Sequence, residues 1–399
     1  MSEREVGLDV SETDTMVPTK AWKAPAMVLG RDEGIVRMEP PLLVAPMAGV
    51  TNAPFRKMCL KRGAGGAVTE MVSAQTLLER TPRAMKIVSF DPIETVRSVQ
   101  LYGTKKELLK DAAKMLVEEV GATHIDLNFG CPVRKVTRKG GGAAIALKPK
   151  LLHSLVQSAV EGASHVPVTV KLRMGLSMER LTHLSAGKAA EDAGALGVVL
   201  HARTVDQLYS SPVHWEAIAQ MVDALAIPVV GNGDIREPMD ATKMMRETGA
   251  SAIMVGRACL GRPWLIQQIA EQLVGKEPQE SPNLKGAAEA ALEHFQGLVD
   301  YHGQELTAAL EMRKFVPLYF HGFQSARVLT QRLMMARTAQ EWIAALEVSS
   351  VDWSESYPPS ALRLARMKGE GRQRVSLPDG YLDSLDDAIE PEDHDACEG

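Results

Sequence analysis

From residue 42 to residue 257 the chain repeats one pattern: a short apolar or β-branched run, a turn of polar residues or glycine, then a longer amphipathic stretch. The runs at 42–45, 67–70, 97–102, 124–128, 168–173, 197–201, 228–231 and 252–255 predict eight strands. Between them, apolar positions such as Leu108, Ala112, Met115 and Leu116 recur with helical spacing and put one face of a helix against a sheet. Eight strands alternating with helices predict an α/β fold, a closed (β/α)8 TIM barrel rather than an open doubly wound sheet. Beyond a Pro-containing linker at 277–283 the pattern changes to helix formers. Stretches at 284–301, 305–321 and 326–346 predict a small C-terminal helical bundle, with Leu329/Leu333 and Trp342/Leu346 as neighbours on helix faces. The expected organisation is a disordered leader over 1–38, a barrel over 39–276, a helical domain over 284–349 and a flexible tail over 350–399.

Composition agrees with that division. A chain of 399 residues, 45% hydrophobic, buries one large core and a smaller appended one. The leader carries Glu3, Glu5, Asp9, Glu12 and Asp14 and lacks the apolar stretch of a signal peptide, so no membrane association is expected. Cys59, Cys131, Cys259 and Cys397 show no CxxC spacing and no histidine partner pattern. They argue against zinc, any other metal or a disulfide framework, and for a reducing cytoplasm. The net charge of −5 conceals an uneven distribution: after Arg374 the tail holds nine acidic residues and no Lys or Arg, leaving +4 for the rest. Just upstream, Arg363, Arg366, Lys368, Arg372 and Arg374 form a basic run. Such blocks are usually solvated, although an acidic tail can also compete with RNA for basic surface.

In a barrel of this kind chemistry sits at the C-terminal ends of the strands. Those ends read Ala45-Pro46-Met47-Ala48-Gly49, Glu70-Met71, Gln100 to Gly103, Asn128 to Pro132, Lys171 to Arg173, His201 to Arg203, Asn232-Gly233-Asp234 and Gly256-Arg257. The last two follow the seventh and eighth strands, where such barrels commonly hold a phosphate on glycine-exposed amides with a cation nearby. Lys171 and His201 can donate over the barrel mouth, and the amide of Gln100 can donate to and accept from a ring edge. Each is also what a strand returning to solvent shows, and only their recurrence at one end is telling. Cys131 stands on a glycine-flanked turn followed by Arg134, Lys135, Arg138 and Lys139. The turn alone fits a buried thiol as well as a reactive one.

These strings resemble the bacterial tRNA dihydrouridine synthase family. The matches are Ala45 to Thr51, Gln100 to Gly103, Asn128-Phe-Gly-Cys-Pro132, Lys171 to Arg173, His201 to Thr204, Asn232 to Asp234, Gly256-Arg257 and, in the helical domain, Glu311-Met-Arg-Lys314, spanning residues 40–346. The resemblance implies a cytoplasmic, FMN-dependent, NADPH-driven enzyme that reduces the C5–C6 double bond of uridine in tRNA, with hydride going to C6 and Cys131 protonating C5. It implies FMN contacts from Pro46, Met47, Ala48, Gln100, Lys171, His201, Asn232, Gly233, Asp234, Gly256 and Arg257. Substrate or tRNA contacts are expected from Asn128, Arg134, Lys135, Arg138, Lys139, Arg203, Arg313 and Lys314, with no metal and no obligate protein partner. Two positions depart from the family pattern: Asn52 where Asp is usual and Phe315 where His often follows Glu-Met-Arg-Lys.

The chemistry is coherent on its own terms. Saturating the uracil C5–C6 bond needs a hydride donor and a proton donor; a cofactor supplies the first and the protein must supply the second. A thiol with an ordinary pKa of about 8.5 is mostly protonated near neutrality. A uridine in folded tRNA must also leave its stack, which calls for a deep mouth and a gripping surface. From residue 285 to 347, six cations stand against seven anions, so only one basic face of the helical domain can serve that role. Two rival readings are a small-molecule FMN oxidoreductase of the dihydroorotate dehydrogenase kind, which leaves the basic run unexplained, and an RNA-binding protein without flavin.

Overall fold

The computed structural model describes residues 22–30, 34–209, 212–357, 375–385 and 390. Its strands in chain order are β1 (Met27–Leu29), β2 (Val36–Met38), β3 (Leu42–Val44), β4 (Gly66–Ser73), β5 (Arg97–Tyr102) and β6 (His124–Phe129). They continue with β7 (Val168–Arg173), β8 (Gly175–Ser177), β9 (Arg180–Leu181), β10 (Val198–His201), β11 (Val229–Asn232) and β12 (Ala252–Val255). Strands β3 to β7 and β10 to β12 close a parallel barrel of eight strands, with helices packed around it, as the alternating pattern predicts. Three of the eight expected ranges, 97–102, 168–173 and 252–255, coincide with the observed strands.

The barrel interior is apolar below and polar above. Leu43, Val68, Val199, Val230 and Met254 pack with Met27, Leu29, Val36 and Met38 in one buried cluster. The four last residues come from the antiparallel β1–β2 hairpin, which plugs the end where the barrel strands begin. Residues Met27–Leu29 and Val36–Met38 therefore depart from the disordered leader expected over 1–38. Each hairpin strand alternates buried, exposed, buried over three residues, too short a run to register as a periodic pattern. Residues 1–21 lie outside the described residues.

Beyond the barrel, the helix Leu284–His302 packs on the helix Ala53–Lys61, and helices Glu305–Met312, Val316–Tyr319, Arg327–Met335 and Ala339–Leu346 complete the C-terminal bundle. Phe55 of the barrel stacks on Phe315 with ring centroids 6.3 Å apart, and His294 packs on Phe315 at 4.6 Å. Phe315 is thus a core residue of the seam between the two parts. Phe295 and Trp342 stack at 4.3 Å within the bundle. The tail expected to be flexible over 350–399 is partly docked: Tyr381 is buried against Ala143, Ala144 and Leu147. The basic run from Arg363 to Arg374 and most of the acidic stretch lie outside the described residues.

The first barrel loop is held by a fully buried ion pair. Arg56 meets Glu94 through Nε at 2.8 Å and Nη2 at 2.9 Å, and also donates to the carbonyls of Thr51 and Ser89. With four of the five guanidinium N–H groups paired, this pair escapes the usual penalty of an isolated buried charge. It pins residue 51, whose Oγ1 accepts from Met47 N at 2.9 Å, and so sets the course of the loop from Pro46 to Thr51.

Candidate active site

The C-terminal ends of the barrel strands surround a cavity of about 390 Å³, within the range of small-ligand sites. All eleven residues expected at a cofactor, from Pro46, Met47 and Ala48 through Gln100, Lys171 and His201 to Asn232, Gly233, Asp234, Gly256 and Arg257, line it, together with Asn128, Cys131 and Arg203. Met71, Arg173 and Tyr209 also line it.

Its floor is an oriented chain of hydrogen bonds. Parallel register sets Gln100 of β5 beside Asp126 of β6, and Asp126 beside Thr169 of β7. Asp126 accepts at both oxygens, from Gln100 Nε2 and Thr169 Oγ1, each at 2.7 Å. Because Gln100 must turn its Nε2 to Asp126, its Oε1 accepts from Asn128 Nδ2 at 2.8 Å. That in turn leaves Asn128 Oδ1 to accept the amides of Gly130 at 3.2 Å and Cys131 at 2.9 Å, an Asx-type turn. On the other side His124 contacts Thr169 at 3.0 Å and Ser98 at 2.7 Å; since Thr169 donates to Asp126, the His124 proton belongs on Nε2. Burial lowers His124 to about 4, so the ring is neutral. Burial also pushes Asp126 up to about 6, opposed by its two hydrogen bonds and the charge of Lys171.

The opposite wall is cationic. Burial, with Arg173 nearby, brings Lys171 down to about 8, while Asp126 and Cys131 pull it upward; its Nζ lies 3.4 Å from Asn232 Oδ1. Burial and the charges of Arg173, Lys171, Arg203 and Arg257 hold His201 well below its ordinary value, so it acts as a neutral donor. Arg257 lies over the Tyr209 ring at 4.2 Å. Gly233 has φ +132°, and a Cβ there would fall 2.6 Å from Val213, so the residue must be glycine. Four cations against the one carboxylate of Asp234, beside glycine-exposed backbone, make an anion site.

Several expected roles change. Arg203 is buried and forms a two-pronged pair with Asp234, at 2.9 and 2.6 Å. It cannot reach the phosphates of a folded RNA and instead holds Asp234, whose carboxyl burial alone would raise but which Arg203, Arg236 and Arg257 together bring below its ordinary value. Asn128 lines the cavity while bonding Gln100 through Nδ2 and the Cys131 turn through Oδ1. Lys314 donates to the Gly49 carbonyl and to Glu311, stitching the helical domain to the first loop, and Arg313 is half-buried. Asn52 caps the helix Ala53–Lys61 with Oδ1 and donates Nδ2 to Glu311 at 3.0 Å; Asp could make only the first of these bonds. Arg134 and Lys135 are exposed on the short helix Arg134–Thr137 after Cys131, as is Arg138 just past its end, with Lys139 half-buried, and none lines the cavity. The sequence reading missed Asp126, Thr169, Arg173 and Tyr209. The signal for the first three is the alternation of polar residues at 98/100, 124/126/128 and 169/171/173 in strands that are otherwise apolar.

Replacing Asp126 by Asn sets an amide donor against Gln100 Nε2 and should cost about 1–3 kcal/mol of stability, measured by urea denaturation at pH 7. The folded carboxyl titrates above its unfolded value, so the native state binds the proton first and Asp126 becomes less costly to bury as pH falls from 6 toward 4. The stability gap between wild type and Asp126→Asn should therefore widen over that interval; a pH-independent gap would contradict the assignment.

Comparison with known proteins bears on what this site does. Residues 43–353 match the family model described as Dihydrouridine synthase (Dus). The chain is 40% identical over 373 residues to a probable tRNA-dihydrouridine synthase of Mycobacterium tuberculosis (strain ATCC 25618 / H37Rv), covering 91% of this chain and 95% of that protein. It is 35% identical over 314 residues to tRNA-dihydrouridine synthase B of Vibrio vulnificus (79% and 97% covered). It is 38% identical over 272 residues to a probable tRNA-dihydrouridine synthase of Rhodobacter capsulatus (68% and 83% covered). Motif, barrel and match over most of its length agree: the chain belongs to the dihydrouridine synthase family.

Proposed function

We propose that this protein reduces the C5–C6 double bond of uridine in tRNA, with FMN as cofactor, NADPH as reductant and Cys131 as the proton donor to C5. The observation that carries the reading is the position of Cys131. Its turn stands at the lip of a cavity whose far wall gathers cations and glycine-exposed amides, and Asn128 fixes its backbone amide from below. Relatives carrying the name tRNA-dihydrouridine synthase match over nearly the whole of their own length.

The donor set fits FMN. Asn232, Gly233, Gly256 and Arg257, with His201 as a neutral donor, suit a terminal phosphate, and Gly233 cannot carry a Cβ there without striking Val213. Pro46, Met47, Ala48, Gln100 and Lys171 border the part of the cavity that a flat ring system would occupy. Lys171, poised at about 8, would donate a charged hydrogen bond favouring electron density on a reduced ring. Reduced FMN, when bound, supplies the hydride for C6.

The remaining work falls to the chain itself. Cys131 gives its proton to C5 as charge develops there, and the unbridged thiol fits a reducing cytoplasm. Asn128, Gln100 and Asp126 hold that thiol against drift during the approach of a bulky substrate. A uridine must swing out of the tRNA to reach the cavity, and the exposed cations Arg134, Lys135 and Arg138, with Lys139, offer the phosphate contacts nearest the lip. Among the described residues no helix is long and apolar enough to cross a membrane.

Cys131→Ala should keep FMN and slow dihydrouridine formation by about a hundredfold or more, measured by nucleoside mass spectrometry of digested tRNA; near-normal turnover would remove the residue from the acid role. Replacing Arg134, Lys135, Arg138 and Lys139 by Gln should weaken tRNA binding and lower the slope of log affinity against log salt by about 3. An unchanged slope would place the grip on another face.

A further inference from the structure

The segment 375–385 lies beyond the residues that the family match covers, yet it reaches the cysteine loop. Tyr381 is buried in a small cluster with Ala143, Ala144, Leu147, Leu176 and Val205, flanked by Val375 and Leu377. Its hydroxyl lies 3.3 Å from the carbonyl of Gly140 and 3.2 Å from that of Ala144. Those two carbonyls bracket Gly142, and Gly142 is packed directly on the catalytic turn. It has φ +54°, and a Cβ there would stand 2.8 Å from Cys131 O and 3.1 Å from Cys131 Cβ. The next residue, Ala143, donates its amide to Cys131 O at 3.2 Å. Asn128 therefore holds the amide side of Cys131, and the 140–144 turn holds its carbonyl side.

Further contacts hold the segment and the residue described beyond it. Lys148 sets Nζ over the Tyr381 ring at 4.5 Å and reaches Ser384 Oγ at 3.4 Å. Past it, Glu390 accepts from the amide of Lys106 at 2.9 Å, at the N-terminus of the helix Lys106–Met115 where a carboxylate is favoured. Burial pushes the Tyr381 phenol up, so the hydroxyl remains a donor at working pH.

We infer that residues 375–385 are a strap that braces the cysteine loop, and that Tyr381 is a positioning residue for Cys131, acting through the 140–144 turn. This rests on the reading of Cys131 as proton donor, and it gives the C-terminal segment a part in the reaction that the barrel alone does not supply. The geometry assigns the hydroxyl, not the ring, to the turn; the ring serves the apolar cluster and Lys148.

The test uses the full-length, FMN-loaded protein with Tyr381→Phe, which removes only the hydroxyl, and Tyr381→Ala, which removes the ring as well. Three quantities are read: reduction of the bound flavin by NADPH, kcat and KM for tRNA, and the rate at which iodoacetamide alkylates Cys131, resolved by peptide mass spectrometry. Tyr381→Phe should leave flavin reduction unchanged, hold KM within about twofold and lower kcat about fivefold to tenfold. Alkylation of Cys131 should change severalfold in the same variant, with Tyr381→Ala larger in both respects. If kcat and the alkylation rate are wild-type in both variants, or if flavin reduction and turnover fall together with alkylation unchanged, the strap is not a positioning device. Should Cys131→Ala itself prove active, the alkylation arm still reports whether Tyr381 braces the loop, so the two claims fail separately.

Discussion

The ionised carboxylate of Asp126 gives the upper barrel its direction. Accepting from both neighbouring strands, it forces the amide of Gln100 one way round, which forces Asn128 one way round, which turns the Asn128 carbonyl oxygen toward the amides of Gly130 and Cys131. Neither Gln nor Asn has such a preference of its own, since each amide presents donor and acceptor ends of nearly equal shape. A single buried charge with two donors converts that ambiguity into a defined turn. The burial that raises Asp126 to about 6 is large enough to be felt and small enough to leave it ionised at neutral pH.

That arrangement depends on register. In a closed barrel the eight strands cannot slide independently, and a one-residue slip of β6 would send His124, Asp126 and Asn128 to the outside. The hairpin at the closed end and the apolar lower interior hold the register from below. The Arg56–Glu94 pair and the Asn52–Glu311–Lys314 contacts hold the first loop from the side. The wall facing Cys131 is strongly basic although the whole chain carries a net charge of −5, because Lys171, Arg173, Arg203 and Arg257 converge on it from the strand ends.

Much of this was legible in residue order. Apolar runs of strand length located all eight barrel strands, and the polar residues at their C-terminal ends named every expected cofactor position that now lines the cavity. What escaped reading was what depends on pairing across distance. Arg203 looks like any exposed cation until Asp234, thirty-one positions away, takes both its nitrogens. Lys314 looks like any exposed cation until the Gly49 carbonyl arrives beneath it. The β1–β2 hairpin and the Tyr381 segment are too short for periodicity to reveal, and each is ordered by a few apolar side chains that find a hole in the barrel or beside the cysteine loop. The alternating polar positions of β5, β6 and β7 were visible, but only barrel closure says that they point inward.

The central claim is that Cys131 stands where uracil C5 will arrive. It is tested most directly by the structure of the flavin-loaded protein bound to a tRNA substrate, with the distance from Cys131 Sγ to C5 of the extruded uridine as the measured quantity. The account predicts a separation of about 3–3.5 Å, with the thiol and the flavin on opposite faces of the base and Asn128 still bonded to the Cys131 amide. A uridine seated with its C5 against another acid, or with Cys131 turned away from the base, would contradict it.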